Sequence, residues 1–380
     1  MRKLGFISFG RIGWIREDGT GEQYLDLNVI GQDVWQFGPM FPDGRYIVLI
    51  SREQTPISRV ISGQTKYHLW KYDLQGEKLL EELMVNNRLA ETCLPTHIFR
   101  DARRMLVNVQ SDKEMHPYEM NLDGTDPVPV TRPGDGFHYG VNVSLDETRI
   151  ACHVTGGKWG RHGHYCINLM NRNGSNRIEV AGQEAMLFFG PVWSNDGQRI
   201  CYLGCDQAAD PAHFFANVCY AEGNGTGHRE LTHGMRHWFG TSHGTKEKRG
   251  GGSNTLCFLP GSWKITYTRL FPGAHPDVDF HPELPSHKEF IYNPDAAKGG
   301  TQIVLIDPDT LQETELTGYE ENKWDFRAVW AAQGDKIAFV RYRVGNPNEI
   351  WVMNADTTQA RRVTMGYQGQ GSDFPAWLGP

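Results

Sequence analysis

The chain has 380 residues, of which 39% are hydrophobic, and it carries a formal net charge of -7 at pH 7. This length and apolar content allow one large domain with a sizeable core, while the negative charge argues against a nucleic-acid partner, which would select a basic face. No apolar run approaches the roughly 20 residues needed to span a bilayer, so we expect no membrane insertion.

The N-terminus and the cysteines are the features that bear on the compartment. Gly10, Arg11 and Gly13 interrupt the first apolar residues before the core of a signal peptide could form, so we expect a strand there. The chain as given then predicts a cytoplasmic protein, or an exported one if a leader has been removed. Seven cysteines without a CxxC pair predict buried free thiols.

One turn signature recurs along the whole chain. Each copy is an apolar strand, a tight turn built on Asp or Gly, and a second apolar strand. A third strand and often a second turn follow, as in YHLWKYDLQGEK and EIWVMNADTTQARRVT. Four short strands per repeated unit are typical of a β-propeller. The six complete copies begin at Phe37, Leu94, Tyr139, Gly190, Asn254 and Arg327.

The two ends of the chain supply complementary parts of one more unit. Residues 4–27 contain three strand-like segments, and residues 372–380 (SDFPAWLGP) supply a first strand. Closing a ring in this way removes free sheet edges. The sequence therefore predicts an all-β, seven-bladed β-propeller with four-stranded antiparallel blades, formed by residues 1–380 as a single domain.

The two faces of such a ring differ in sequence. The loops between second and third strands and the linkers between blades share one face, the loop face, while short turns such as PDGR and NDGQ lie on the opposite turn face. Long loops on a rigid scaffold commonly carry function. The long segments, all predicted on the loop face, lie near 51–67, 154–165, 204–215, 232–253 and 270–301.

Histidines concentrate in one sector of the loop face. Of the 15 histidines, all but one of those predicted on this face belong to the fourth, fifth and sixth blades or to the linkers that enter them. This concentration favours a catalytic or metal-binding cluster over chance. The histidines predicted on the loop face are His116, His138, His162, His164, His213, His233, His237, His243, His275, His281 and His287.

His138 is the first candidate for a general base. It occupies the start of an innermost strand, in register with Phe188, Ser253, Asp325 and Ser372 of other blades, which predicts a position at the mouth of the central channel. An imidazole there could act on a ligand or could bond to a neighbouring blade, and geometry leaves both readings open. Tyr139 points to the other face of the strand and is the weaker candidate.

The stretch WGRHGHY precedes the predicted strand that begins at Tyr165. Arg161 offers a planar fork for a carboxylate, and His162 and His164 offer proton transfer near neutral pH. Arg249, on the long linker, is an alternative carboxylate ligand.

Four further residues suggest a divalent metal. Asp206, His213, His237 and His243 combine the oxygen and nitrogen ligands that manganese, calcium or zinc accept. Their spacing matches no defined metal motif, and loop capping is the alternative for the aspartate.

The repeats resemble the WD40-like repeat of the TolB type, best in VWSNDGQRICYLG with HRELT and in VWAAQGDKIAFV with WVMNADTTQARRVT. Among enzymes on TolB-like propellers, the arrangement looks like the oligogalacturonate and ulvan lyases. This resemblance implies a lyase that cleaves an anionic, uronic-acid-containing oligo- or polysaccharide by β-elimination, and we expect a monomer. A metal or arginine would neutralise the carboxylate, and a histidine or tyrosine would remove the C5 proton.

Two other functions remain open at this point. A non-catalytic TolB-like scaffold could use the loop face to bind a peptide or protein, and a propeller hydrolase or epimerase could act on a sugar acid. Acyl transfer, nucleotide chemistry and zinc-finger roles lack support, because the sequence shows no nucleophile elbow, phosphate loop or CxxC framework.

Overall fold

Short antiparallel strands make up almost all of the regular structure. The computed structural model describes residues 2–8, 10–25, 33–52, 67–89, 92–111, 114–160, 164–212, 214–240, 242–244, 249–251, 253–285 and 289–379; for 33–35, 52, 92, 242–244 and 249–251 it describes the backbone alone. No described helix is long and apolar enough to cross a membrane. The seven cysteines are free thiols, and all but Cys257 are buried, as predicted.

The strands follow one another in chain order around the ring. The first part of the chain holds β1 (Lys3–Ser8), β2 (Arg11–Arg16), β3 (Gln23–Tyr24), β4 (Asp33–Met40), β5 (Tyr46–Arg52), β6 (Tyr67–Asp73), β7 (Lys78–Leu83), β8 (Thr92–Ile98), β9 (Arg104–Gln110), β10 (Met115–Asn121), β11 (Val128–Pro129), β12 (Phe137–Val143), β13 (Arg149–Thr155), β14 (Cys166–Asn171) and β15 (Ile178–Ala181). The second part holds β16 (Met186–Trp193), β17 (Arg199–Asp206), β18 (Phe215–Glu222), β19 (Arg229–Glu230), β20 (His237–Trp238), β21 (Ser242–Gly244), β22 (Arg249–Gly251), β23 (Cys257–Phe258), β24 (Ile265–Leu270), β25 (Val278–Phe280), β26 (Phe290–Tyr292), β27 (Thr301–Ile306), β28 (Glu313–Glu315), β29 (Lys323–Trp330), β30 (Lys336–Arg343), β31 (Glu349–Asn354), β32 (Arg361–Arg362) and β33 (Ser372–Leu378). Two short 3-10 helices, Pro294–Ala296 and Tyr367–Gly369, complete the elements.

The all-β propeller with four-stranded antiparallel blades is confirmed. Within the described residues, β4–β7, β8–β11, β12–β15 and β29–β32 each form a four-stranded sheet. The composite sheet predicted from the two chain ends is also present, because β33 pairs with β1 from Lys3 opposite Leu378 to Ser8 opposite Ser372. The C-terminal strand is thus the first strand of the N-terminal sheet, and it ties the ring together.

Residues 186–315 depart from the prediction of separate blades. Nine of their strands form one sheet instead of two four-stranded ones, and β21–β22 and β25–β26 form two separate two-stranded sheets. β19 pairs only with Cys219 and Tyr220 of β18, which leaves the beginning of β18 as an open edge. The linker strand β20 fills this edge, with Trp238 opposite Phe215, and its His237 also pairs with Arg269 of β24. A two-residue strand from the linker therefore joins sheets that the repeat pattern predicts to be separate.

Each sheet is buried on both faces because it packs between two neighbours. In β17, six successive residues are buried, from Ile200 to Cys205. Tyr202 faces one neighbour and packs with Ile167 of β14. Leu203 faces the other and packs with Ile265 of β24. Burial on both faces produces the nearly continuous apolar runs seen in the sequence.

Bulges interrupt several inner strands near their middle. The register shifts between Tyr139 and Asn142 in β12 and between Phe189 and Val192 in β16. Gly140 and Gly190 in these bulges have φ values of 55° and 64°, a conformation that favours glycine. These bends shape the space between the sheet of β12–β15 and the next one.

A small hydrophobic cluster outside the blades joins two of the long loops. Val278 of β25 packs with Phe214, and the ring of Phe290 in β26 lies 5.6 Å from that of Phe214. The hydroxyl of Tyr342 in β30 donates a 2.7 Å hydrogen bond to Asp277. The loops that follow β17 and β24 are therefore fixed to each other and to the propeller.

Candidate active site

The structure describes only part of the predicted site. Arg161, His162 and His213 lie outside the described residues, and for His243 in β21 and Arg249 in β22 only the backbone is described. The roles of these five residues stay predictions. The remaining five are His138, Tyr139, His164, Asp206 and His237.

His138 lies inside the protein, between the third and fourth sheets. Its side chain has 0% exposure, and Nδ1 donates to the carbonyl oxygens of Met115 and Gly136 at 3.2 and 2.9 Å. Nε2 accepts a hydrogen bond from Arg177. Burial, Arg177 and His116 lower the pKa of His138 to about 3. Both nitrogens of this neutral ring are engaged, which favours the inter-blade reading over the base.

This burial also corrects the expectation for the row of residues in register with His138. Phe188, Asp325 and Ser372 are fully buried as well, whereas Ser253 is exposed. The buried members of the row face a neighbouring sheet instead of the channel mouth, because both faces of a blade are packed. Asp325 shows the same behaviour as His138, since it is held by Arg341 through two hydrogen bonds of 2.7 and 2.8 Å.

Of the two predicted metal ligands whose side chains are described, His237 has both nitrogens engaged and Asp206 has one carboxylate oxygen engaged. His237 is buried; its Nε2 donates to the carbonyl of Asn254 at 2.8 Å, and its Nδ1 accepts from the backbone N–H of Thr268 at 3.2 Å. Asp206 caps its own turn, accepting from the N–H groups of Ala208 and Ala209 at 2.9 and 3.2 Å. Among the described residues, no group of three or more His, Cys, Asp or Glu side chains could hold a metal ion.

A different set of side chains comes together at the loop-face end of the fourth sheet. The rings of Tyr139 and His153 stack with centroids 5.5 Å apart. Tyr165 meets both edge-on, at 6.1 Å from Tyr139 and 5.3 Å from His153, and Phe137 stacks 6.2 Å from Tyr139. All four side chains are half-buried. We call the group of Tyr139, His153 and Tyr165 the aromatic cleft.

The backbone glycines position His153 in the aromatic cleft. A Cβ on Gly140 would lie 2.8 Å from Nδ1 of His153, so the imidazole can approach the bulge only because residue 140 lacks a side chain. The N–H of Gly190, in the neighbouring sheet, donates to the same Nδ1 at 3.3 Å. His153 is therefore neutral with its proton on Nε2, in agreement with burial lowering its pKa to about 3.

The phenols of the aromatic cleft are proton donors at neutral pH. Burial raises the pKa of Tyr165, and burial together with Tyr165 raises that of Tyr139. The residue next to Tyr165, His164, has a buried Nδ1 that no described residue meets with a hydrogen bond. An imidazole next to Tyr165 in the chain is a candidate proton acceptor for a bound molecule.

No protein-family model and no curated protein matches this chain. Solved structures do match. The chain is similar to oligogalacturonate lyase in complex with manganese, with a TM-score of 0.56, 12% identity, and coverage of 96% of this chain and 85% of that chain. This likeness supports a β-propeller fold.

Two further solved structures are similar to this chain. A puromycin hydrolase matches with a TM-score of 0.57 and 12% identity over 95% of this chain and 52% of that one. TolB from Acinetobacter baumannii matches with a TM-score of 0.44 and 14% identity over 88% and 83%. At these identities the likeness concerns the fold, and function has to be argued from the site.

Sequence reasoning missed His153 and Tyr165 as members of one site. The long loops carry the sequence signal, whereas His153 lies within β13, directly opposite Tyr139 in the antiparallel register. Counting outward from the turn at residues 144–148 would pair Tyr139 with Val154, because the pattern does not contain the bulge that shifts the register by one residue. Tyr165 is the first residue after the WGRHGH stretch, and the sequence pattern marks it only as the start of a strand.

Proposed function

We propose that this TolB-like propeller is a lyase that cleaves a uronic-acid-containing glycan by β-elimination at the aromatic cleft. The observation that supports the proposal is the contact of two phenols and one imidazole, all half-buried, at the loop-face end of the fourth sheet. Elimination needs a group that takes a proton and a group that gives one, and needs no serine or cysteine nucleophile.

The chemistry assigns a role to each member of the site. The imidazole of His164 is assigned as the base that removes the proton at C5 of the uronate, the C5–H electron pair forms the C4=C5 double bond, and the C4–O bond breaks. A phenol of Tyr139 or Tyr165 protonates the departing oxygen, which its raised pKa allows at neutral pH. The Nε2–H of His153 donates a hydrogen bond to a sugar oxygen and orients the ring.

An arginine is the proposed partner of the substrate carboxylate. Neutralising this carboxylate acidifies the C5 proton, and Arg161 precedes Tyr165 by four residues in the chain, with Arg249 as the alternative. A bound manganese, calcium or zinc ion remains a prediction that depends on His213 and His243. Since both nitrogens of His237 and Oδ1 of Asp206 are engaged elsewhere, we derive no step through a metal.

We also infer that the ring has seven blades, with the nine-stranded sheet counted as two. Strands β16–β19 and strands β23, β24, β27 and β28 each keep the order of a four-stranded blade. Both halves carry the same turn hydrogen bond, Ser194 N–H to Arg199 O and Leu259 N–H to Lys264 O, each 2.9 Å long. The linker strand β20 joins these two four-stranded units and takes the place of no strand in either.

The experiment that tests the lyase proposal measures the ultraviolet absorbance of the unsaturated product. Purified protein is incubated with oligogalacturonate, oligoalginate, oligoglucuronan and ulvan oligosaccharides, with and without each divalent metal. The variants are Tyr139→Phe, Tyr165→Phe and His164→Asn, with Tyr46→Phe on the turn face as the matched control. We expect product with at least one substrate, and a roughly 10²- to 10⁴-fold lower rate in an acid or base variant.

The same experiment separates the other functions. New reducing ends without unsaturated product would assign hydrolysis in place of elimination. Absence of any product across the panel would overturn the lyase proposal in favour of a binding scaffold. Full activity in all three variants would place the reaction outside the aromatic cleft.

A further inference from the structure

A tryptophan replaces a polar residue in one turn of the turn face. In six blades, one backbone hydrogen bond closes the turn between the first and second strands, as from Leu259 N–H to the carbonyl of Lys264. The residue just before the one that supplies this carbonyl is Arg45, Arg103, Thr148, Gln198, Trp263 or Asp335. Trp263 is the only apolar residue of this set, and 44% of its surface is exposed. The repeat itself therefore gives no folding reason for an indole here.

The indole of Trp263 is held in a fixed orientation by the neighbouring turn. Asp196 uses Oδ1 to cap its own turn through the N–H of Gln198 at 3.0 Å, and its Oδ2 accepts a 2.6 Å hydrogen bond from Nε1 of Trp263. In the turns of Asp43 and Asp101 the same Oδ1 cap is present. The second oxygen of Asp196 thus serves to orient a side chain of the next turn.

One face of the indole of Trp263 is covered, and the residue also lines a groove. The guanidinium of Arg199 lies 3.6 Å from the ring centroid and is itself held by Asp309 at 3.1 and 3.2 Å. Asn195, Ser262 and Asp196 line a groove of about 550 Å³ beside Trp263, a size typical of small-ligand sites. Such an ordered aromatic platform binds with little loss of side-chain entropy.

We propose that this groove binds a neutral saccharide, with a pyranose ring stacked on Trp263. The indole N–H is already committed to Asp196, so a ligand meets the ring face, which suits the apolar C–H face of a sugar. A cation is disfavoured because Arg199 occupies the opposite face, and an anion is disfavoured by the carboxylate of Asp196. Asn195 and Ser262 supply hydrogen-bonding partners for hydroxyl groups.

This site lies on the turn face, whereas the aromatic cleft lies on the loop face, and the inference does not depend on the lyase proposal. A neutral glycan bound here would hold the protein on a polysaccharide without entering the proposed reaction. The test therefore measures binding alone and uses no turnover.

The experiment observes Trp263 directly by fluorine NMR. The full chain, with its 11 tryptophans, is labelled with 5-fluorotryptophan, and Trp263→Gln, which installs the residue of the neighbouring turn, assigns the resonance. Cellohexaose, xylohexaose and galactotetraose are titrated as neutral probes, and trigalacturonate as the anionic probe. The matched control is Tyr319→Ala, since Tyr319 is also 44% exposed.

We expect a saturable shift of the Trp263 resonance by at least one neutral probe, with a millimolar Kd. Trp263→Gln should weaken binding of that probe at least about tenfold by calorimetry, and Tyr319→Ala should leave it unchanged. An unmoved Trp263 resonance with every neutral probe would overturn the proposal, and this wild-type titration needs no variant to fold. A shift caused by trigalacturonate alone would overturn the assignment to neutral saccharides.

Discussion

Replacing His138 with Ala distinguishes a buried inter-blade histidine from a catalytic base. The substitution removes a side chain with 0% exposure and leaves a cavity between the third and fourth sheets. It also removes the acceptor for Arg177, whose side chain is only 4% exposed. The partners left to Arg177 are Asn168 Oδ1 at 3.3 Å and Asp135 at 3.7 Å.

The expected cost follows from these two losses. The cavity contributes about 2 kcal/mol, and the lost hydrogen bond to a buried charged group contributes about 2 kcal/mol more. We expect His138→Ala to lower the free energy of unfolding by about 4 kcal/mol and the Tm by roughly 5–10 °C. The rate per folded molecule should remain near that of the wild type.

Urea unfolding followed by circular dichroism measures this change, and the same samples are assayed for turnover. His138→Asn keeps a donor for the carbonyls of Met115 and Gly136, so its free energy of unfolding should lie between those of the wild type and His138→Ala. His281→Ala is the matched control, because that imidazole is exposed and should cost less than about 0.5 kcal/mol. A His138→Ala protein that is as stable as the wild type but inactive would refute the structural role and support the assignment of His138 as the catalytic base.

Two further predictions concern acid stability and the aromatic cleft. In the folded protein the pKa values of His138 and His153 are lowered to about 3 and that of His237 to about 4, whereas the unfolded value is about 6.5. The neutral imidazoles therefore stabilise the fold fully above pH 6.5. This stabilisation is lost as the pH falls from 6.5 towards the pKa values of the folded protein. Each should add a slope of about 1 kcal/mol per pH unit between pH 6.5 and 4.5, and urea curves showing no pH dependence in this window would contradict the neutral assignment. Gly140→Ala should lower the free energy of unfolding by about 2 kcal/mol and displace His153, because its Cβ would lie 2.8 Å from Nδ1 of His153 and its φ is 55°. The control Gly345→Ala has a φ of 81° and no atom near its Cβ, so it should cost only the backbone strain. Equal melting temperatures for the two variants would disprove the contact.

The sequence by itself determined the blade, because each blade is built from local pairings. The turn at residues 194–199 brings β16 against β17, and alternation and turn type are sufficient to predict such a hairpin. The pairing of β33 with β1 was predictable for a related reason, since each chain end supplied the strands that the other lacked. Local chemistry also marked Asp206 as a cap of its own turn.

Only the tertiary structure decided which histidines are buried and which edges are open. His138 and His153 lie on adjacent strands at the same end of one sheet, yet one packs against the third sheet with both nitrogens engaged and the other borders the aromatic cleft. The strand β20 likewise pairs with β18 because β19 is too short to cover that edge. Both outcomes depend on how neighbouring sheets pack, and packing between sheets joins residues distant in the chain, which a strand-by-strand pattern does not contain.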